Sequence, residues 1–343
     1  MSADGDAYTS RTIADLVRAG LVLAGDAGRL AEVAARYAVA VPPALAALIE
    51  PGIADDPIGL QVLPAVAELI LGEGECADPI GDAAHAPLPG IVHRYPDRVL
   101  LTPSFACAVY CRFCFRRERV GGGEALGPEA LAAALAYIRE RPEIREVILT
   151  GGDPLMLTPR RLAEIVAALD AMAHVGVIRI HSRVPMAAPE RVTPELLAAL
   201  SCQTALFMAV HANHPREFAP PARAALRRLA GAGLALLGPS VRLAGINDEA
   251  ATLEALMRCF IENRVKPYYL HQLDSALGTA RFRVPIERGQ ALMRRLLGRV
   301  SGLALPAYVL DIPGGHGKSP IGPGYLAADG REVVDWRGER HPL

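Results

Sequence analysis

The sequence predicts an α/β fold: a partial parallel barrel of six strand–helix units, (β/α)6, behind an N-terminal helical region. Two patterns carry this expectation. From Val92 onward, short β-rich runs alternate with longer amphipathic runs. The unusual polar residues also gather after the strand runs, where barrels of this kind place their chemistry. A length of 343 residues with 51% hydrophobic content can support such a core.

Residues 1–88 read as short helices and a linker. TIADLVRAGLV, RLAEVAARYA and PALAALIE space their apolar positions three and four apart, and Thr12 with Asp15 offers a capping pair. The Gly-, Asp- and Pro-rich stretch 73–90 reads as the linker. The barrel is expected over 89–303, with strands at 98–102, 146–150, 177–181, 205–210, 234–238 and 267–271. A C-terminal segment, 304–343, opens on a seventh run, AYVLDI, able to extend the sheet. The loops after these strands read SFACAVYCRFCFRR, GGDPL, SRVP, HANHP, SVRLAGIND, HQLD and DIPGGHGK.

Composition narrows the function classes. Thirty-six Lys and Arg against 37 Asp and Glu give a net charge of −1, which argues against a broad nucleic-acid footprint. An aromatic content of 5% argues against a base-stacking surface. MSADGDAYTS has no basic start or apolar run, and no apolar stretch approaches the length of a membrane span. A cytoplasmic location is expected.

Cys107, Cys111 and Cys114 form C-x3-C-x2-C. Three thiolates can hold three irons of a cubic 4Fe–4S cluster, leaving the fourth open to chelate a small molecule. Zinc remains an alternative, with His93 as a fourth ligand. Cys76, Cys202 and Cys259 sit among apolar neighbours and are expected to be buried structural thiols. Gly151 and Gly152 of GGDP would let backbone approach a ligand, and Asp153 could accept from an ammonium; the alternative is an ordinary strand-to-helix turn. Lys318, after a Gly-rich turn, could serve as a Schiff-base nucleophile, bind phosphate, or lie on an exposed turn.

The cysteine spacing and GGDP together resemble the radical S-adenosylmethionine (SAM) superfamily. HRYPDR (93–98), CAVYCRFCFRR (107–117), TGGDPL (150–155), PYYLHQLD (267–274) and DIPGGHGKSP (311–320) resemble its lysine 2,3-aminomutase family across roughly two thirds of the chain. The resemblance implies a radical SAM partial barrel that uses a 4Fe–4S cluster, SAM and pyridoxal phosphate. It implies cluster ligation by Cys107, Cys111 and Cys114, and a Schiff base on Lys318. Arg94 and Arg98 would grip the cofactor phosphate, with Arg183 a further candidate nearby. Gly151, Gly152 and Asp153 would contact SAM. Arg116 would pair the substrate carboxylate, and Asp274 and Asp311 the substrate ε-ammonium. The implied reaction moves the α-amino group of L-lysine to the β-carbon. A reductant such as flavodoxin or ferredoxin and a homo-oligomer are further expectations.

Departures from the family pattern matter. His316 stands where the lysine enzymes usually have Gly, no cysteine follows Cys259, and GPSVRLAGIND replaces NQSVLLRGVND. The short C-terminus and the CRFCFRR wording are nearer the branch that acts on a lysine of elongation factor P, which usually lacks an acid at position 311. Free lysine is the favoured substrate, with elongation factor P as the alternative. A radical SAM enzyme without pyridoxal phosphate, or a non-catalytic cluster-binding protein, are the other readings.

Overall fold

The computed structural model describes residues 8–122 and 125–343; the reading of the first seven residues lies outside them. A nine-stranded sheet runs in chain order from β1 to β9. The strands are β1 (Ile91–Tyr95), β2 (Arg98–Ser104), β3 (Glu146–Gly151), β4 (Val177–Ser182), β5 (Ala205–Val210), β6 (Ala235–Val241), β7 (Val265–His271), β8 (Ala307–Asp311) and β9 (Lys318–Pro320). Strands β2 to β8 are parallel, and β1 and β9 close the two edges antiparallel.

The six expected strands are all present, most of them longer by one or two residues, and the seventh run joins the sheet as β8. Six crossover helices connect the seven parallel strands, among them Pro159–Asp170, Pro194–Ala199 and Pro220–Gly231. Proline near their first position suits an N-terminus whose N–H has no partner, and Thr158 and Thr193 cap two of them with side-chain oxygens. The helix Pro159–Asp170 turns Leu162, Ile165, Val166 and Leu169 onto the sheet, each essentially fully buried. Each such side chain contributes about 1.5–3 kcal/mol in removing apolar area from water.

Strand alternation sets what lies inside the curled sheet. In β4, Ile178 and Ile180 belong to the main apolar core, so Arg179 and His181 face the opposite side. There Arg179 reaches Glu146 and the Tyr268 hydroxyl, and His181 is half-buried with its Nε2 enclosed.

The N-terminal region is fastened to the cysteine loop. Thr12 and Asp15 form the expected capping box. Glu68, fully buried, accepts from Arg112 and Arg117 and lies 3.6 Å from Arg281. The stretch 73–90 is not a loose linker. Cys76 forms a bridge with Ala276, and the Asp78–His85 segment packs against the 312–317 loop. The two sheet edges also meet, because the Lys318 N–H donates to the Tyr95 hydroxyl at 2.7 Å. Gly317 is required at this seam: its φ is +88° and a Cβ would come within 2.7 Å of that hydroxyl.

No described helix is long and apolar enough to cross a membrane. All six cysteines are free. The expectation of buried thiols outside the cysteine loop needs correction: Cys76 is exposed, and Cys202 and Cys259 are partly exposed. Cys76 lies in the exposed first part of the 73–90 stretch, beside Gly74 and Ala77, ahead of the buried Ile80 and Asp82.

Candidate active site

The C-terminal ends of the parallel strands carry two groups of side chains. The first surrounds the cysteine loop, which follows β2. Cys107, Cys111 and Cys114 lie on irregular backbone packed under Phe113, Tyr110 and the N-terminal region. Burial pushes the Cys107 thiol far above its ordinary value, with the Asp153 carboxylate and the two other cysteines adding to it. Burial and Cys111 push Cys114 up to about 11, against the pull of the Arg116 N–H. A cation bound among them would reverse this preference, since ligating thiols must be deprotonated. His93 Nδ1 meets the Tyr137 hydroxyl at 2.9 Å.

Two expectations for this region change. Asp153 does not point an open carboxylate at a ligand. Its Oδ1 accepts from the Leu155 N–H, and its Oδ2 from Ser182 Oγ and the Arg183 and Val184 N–H groups, at 2.8–3.1 Å. The side chain ties the loop after β3 to the loop after β4. Gly151 and Gly152 make their close approach to the cysteine loop: a Cβ on Gly152 would lie 2.4 Å from the Ala106 carbonyl oxygen. Gly152 N–H donates to Ser104 and Asp153 N–H to Ala106, so this turn braces the loop's first residues.

Arg183 also departs from expectation. It does not join Arg94 and Arg98. Its guanidinium contacts Cys111 Sγ at 2.8 Å, Gln61 Oε1 at 2.7 Å and Glu217 Oε2 at 2.9 Å. Burial opposes its charge, but Cys111 and Glu217 more than restore it. Gln61, Glu217 and Glu68 form the buried polar backing of the cysteine loop, and sequence reading passed over all three. Only Glu217 carried a signal, being two residues beyond the HANHP loop.

The second group surrounds Lys318, the first residue of β9. Its Nζ lies 2.6 and 2.7 Å from the two oxygens of Asp311, the last residue of β8. Antiparallel register places Lys318 opposite Asp311. Burial works against the Asp311 charge, yet the His271 ring and the Lys318 ammonium hold its carboxyl down at about 2. Asp274, three residues beyond β7, behaves oppositely. Burial and the like charge of Asp311 push it up to about 7, with Lys318 and Arg116 offsetting only part. Its Oδ1 is buried without a hydrogen-bond partner.

Arg116 and Arg94 belong to this group through Asp82, a residue of the expected linker. Arg116 donates Nε and Nη2 to one oxygen of Asp82, at 3.0 and 2.7 Å; Arg94 Nη2 donates to the other at 3.0 Å. Arg98 is set apart, stacked over the Tyr95 ring and paired with Asp97 at 2.6 Å. Asp274 Oδ1, Arg94 Nε and His181 Nε2 are buried and unpartnered in this half. Burial pushes His181 well below its ordinary value, and nearby cations add to the effect.

A curled, largely parallel sheet with a C-x3-C-x2-C loop after its first parallel strand defines a radical SAM enzyme, and residues 101–258 match the radical SAM superfamily model. Residues 293–338, which include Lys318, match the model for lysine-2,3-aminomutase. The chain is 38% identical to the L-lysine 2,3-aminomutase of Clostridium subterminale, over 86% of this chain and 71% of that one. It is 38% identical to the L-lysine 2,3-aminomutase of Fusobacterium nucleatum (84% and 68%). It is 35% identical to the glutamate 2,3-aminomutase of Clostridioides difficile (90% and 74%). The chain belongs to the lysine 2,3-aminomutase family: it is a radical SAM aminomutase, an isomerase. A 4Fe–4S cluster and SAM follow from that membership.

Proposed function

We propose that this aminomutase is pyridoxal phosphate-dependent and converts free L-lysine to β-lysine. One observation carries the substrate reading. Asp311 already receives a lysine ammonium, that of Lys318, with both oxygens, and the unpartnered Asp274 carboxylate stands in range of the same charge. A lysine side chain entering this half would find the contact that Lys318 makes. A glutamate side chain would meet two acids of its own sign.

The residues fit the second cofactor. Lys318 offers the amine, and Arg94 offers a buried guanidinium with Nε free to donate to a phosphate. When bound, pyridoxal phosphate supplies a carbonyl carbon that can hold and pass on an amine, and the cluster with SAM supplies one-electron chemistry. This chain's own residues bind and orient. Cys107, Cys111 and Cys114 hold the cluster, and Gly151, Gly152 and Asp153 fix the loop they sit on. Arg183 contributes a cation at Cys111. Arg116 pairs the substrate carboxylate, while Asp274 and Asp311 fix the ε-ammonium and so set the β-carbon relative to the cluster side. Arg98 supports the phosphate end through Tyr95.

The reconstituted protein, incubated with L-lysine, SAM, pyridoxal phosphate and dithionite, is expected to yield β-lysine. Turnover that persists without pyridoxal phosphate would overturn the cofactor reading. If β-lysine does not form and a lysine of elongation factor P is modified instead, the substrate is protein-bound. Production of β-glutamate from L-glutamate alone would show that the two acids do not set specificity.

A further inference from the structure

We propose that Asp82 is a positioning residue: it couples the arginine offered to the cofactor phosphate, Arg94, to the arginine offered to the substrate carboxylate, Arg116. This rests on the reading above and extends it to a residue of a segment that looks like a linker in the sequence. Asp82 is 3% exposed, and its two oxygens are divided between the two guanidiniums. Arg116 is gripped along its Nε–Nη2 edge. Its Nη1 has only a 3.5 Å contact to Thr150 Oγ1, so the Nη1 end remains for a carboxylate. Arg94 is fixed through Nη2, by Asp82 and by the Ile80 carbonyl at 2.7 Å, which leaves its buried Nε to donate elsewhere.

The segment that carries Asp82 is itself held. Asp78 accepts from the N–H groups of Asp82 and Ala83, at 2.9 and 2.8 Å. Gly81, at φ +67°, lies so close to the 314–315 backbone that a Cβ would come within 2.6 Å of Gly315 N. His85 Nε2 meets the Gly315 carbonyl at 3.1 Å. Asp82 is therefore a fixed strut rather than a swinging competitor for Arg116. It connects β1, the cysteine loop and the loop leading to Lys318, three elements distant in sequence. A carboxylate shared in this way also neutralises one of the two positive charges, so that each arginine meets its anion already oriented.

The test uses Asp82→Asn, Asp82→Ala and Asp82→Glu in the full chain, with iron content checking that each variant folds. Phenylglyoxal modification of the ligand-free protein, mapped by mass spectrometry, reads the shielding of Arg116 and Arg94 directly. Asp82→Ala should speed modification of both. In the loaded enzyme, removal of one partner from a buried charged contact should raise KM for L-lysine and the Kd for pyridoxal phosphate by about tenfold or more. The change in kcat should be smaller, and Asp82→Glu should recover part of the loss. An Asp82→Ala protein with normal iron, unchanged arginine reactivity and unchanged KM would overturn the proposal. So would loss of iron in both the Ala and Asn variants, because Asp82 would then be needed for folding. If wild type binds no pyridoxal phosphate or leaves L-lysine untouched, the functional reading fails, and the modification rates alone still decide whether Asp82 holds the two arginines.

Discussion

The two halves of the site are built on opposite principles. Around the cysteine loop the buried carboxylates are satisfied by the protein itself: Asp153 accepts four hydrogen bonds, and Glu217 and Glu68 meet arginines, while the unpartnered atoms are Nε of Arg117, Arg183 and Arg281, Nε2 of His211 and the Tyr37 hydroxyl. Around Lys318, a buried carboxylate oxygen, Oδ1 of Asp274, stands without a partner, and two neighbouring carboxyls are driven in opposite directions. A satisfied network holds a shape before anything binds, whereas unsatisfied groups store free energy that a matching ligand releases. The cluster side is a frame, and the lysine side is a receptor.

The sharpest way to separate the halves is to remove one at a time. Cys111→Ala should abolish both iron incorporation at full occupancy and formation of 5′-deoxyadenosine. Wild-type SAM cleavage in that variant would refute the cluster assignment. Lys318→Ala should eliminate amine migration yet keep iron content and SAM cleavage, because its contacts lie in the other half. Equal loss of both activities would erase the distinction.

Smaller effects sharpen the contrast within the lysine half. Asp311→Asn should lower kcat/KM for lysine by tens to thousands of fold, corresponding to about 2–5 kcal/mol for breaking a buried charged contact. Asp274 should act through its proton. Lysine binds best when this carboxyl is ionised, so KM should fall as pH rises through about 7, and Asp274→Asn should remove that dependence. The stability effect has the opposite sign. A carboxyl whose folded value is raised favours the folded state at low pH, and that advantage is lost as pH rises from about 4, its usual unfolded value, through about 7. The ligand-free Asp274→Asn protein should therefore melt higher than wild type at pH 8, and a lower Tm would contradict the assignment of burial as the cause. On the frame side, Gly152→Ala should reduce iron content without touching a ligand, through collision with the Ala106 carbonyl.

Much of the fold was legible because its signals are local. β3, β4 and β5 combine β-branched and apolar runs with proline-led, threonine-capped helices, all within a few residues. β1 was not legible as a strand, because its residues HRY read as part of a ligand motif, although its partner is the strand next in the chain. The site divided in the same way. The cysteines and Lys318 stand out by spacing and by the turn that precedes them. Asp82 did not, since its role depends on Arg116, 34 residues further on. Asp153 and Arg183 were noticed for the right loops but given the wrong contacts, because free valences cannot be counted until the neighbouring strand is in place.

The seam between Tyr95 and Lys318 joins positions 223 residues apart, and it ties the first strand of the sheet to the last. Such a contact must meet its loop-closure entropy before it gains anything, so it should form late in folding. As the chain is synthesised, the cysteine loop and all seven parallel strands are made before Lys318 exists. The amine offered to the cofactor thus reaches its place only when the whole sheet has been completed. Pulse-labelled hydrogen exchange should find the Lys318 amide among the last to become protected, after those of β3 and β4. The order of construction would then act as a quality control, giving a truncated or half-folded chain no means of assembling the lysine half of the site.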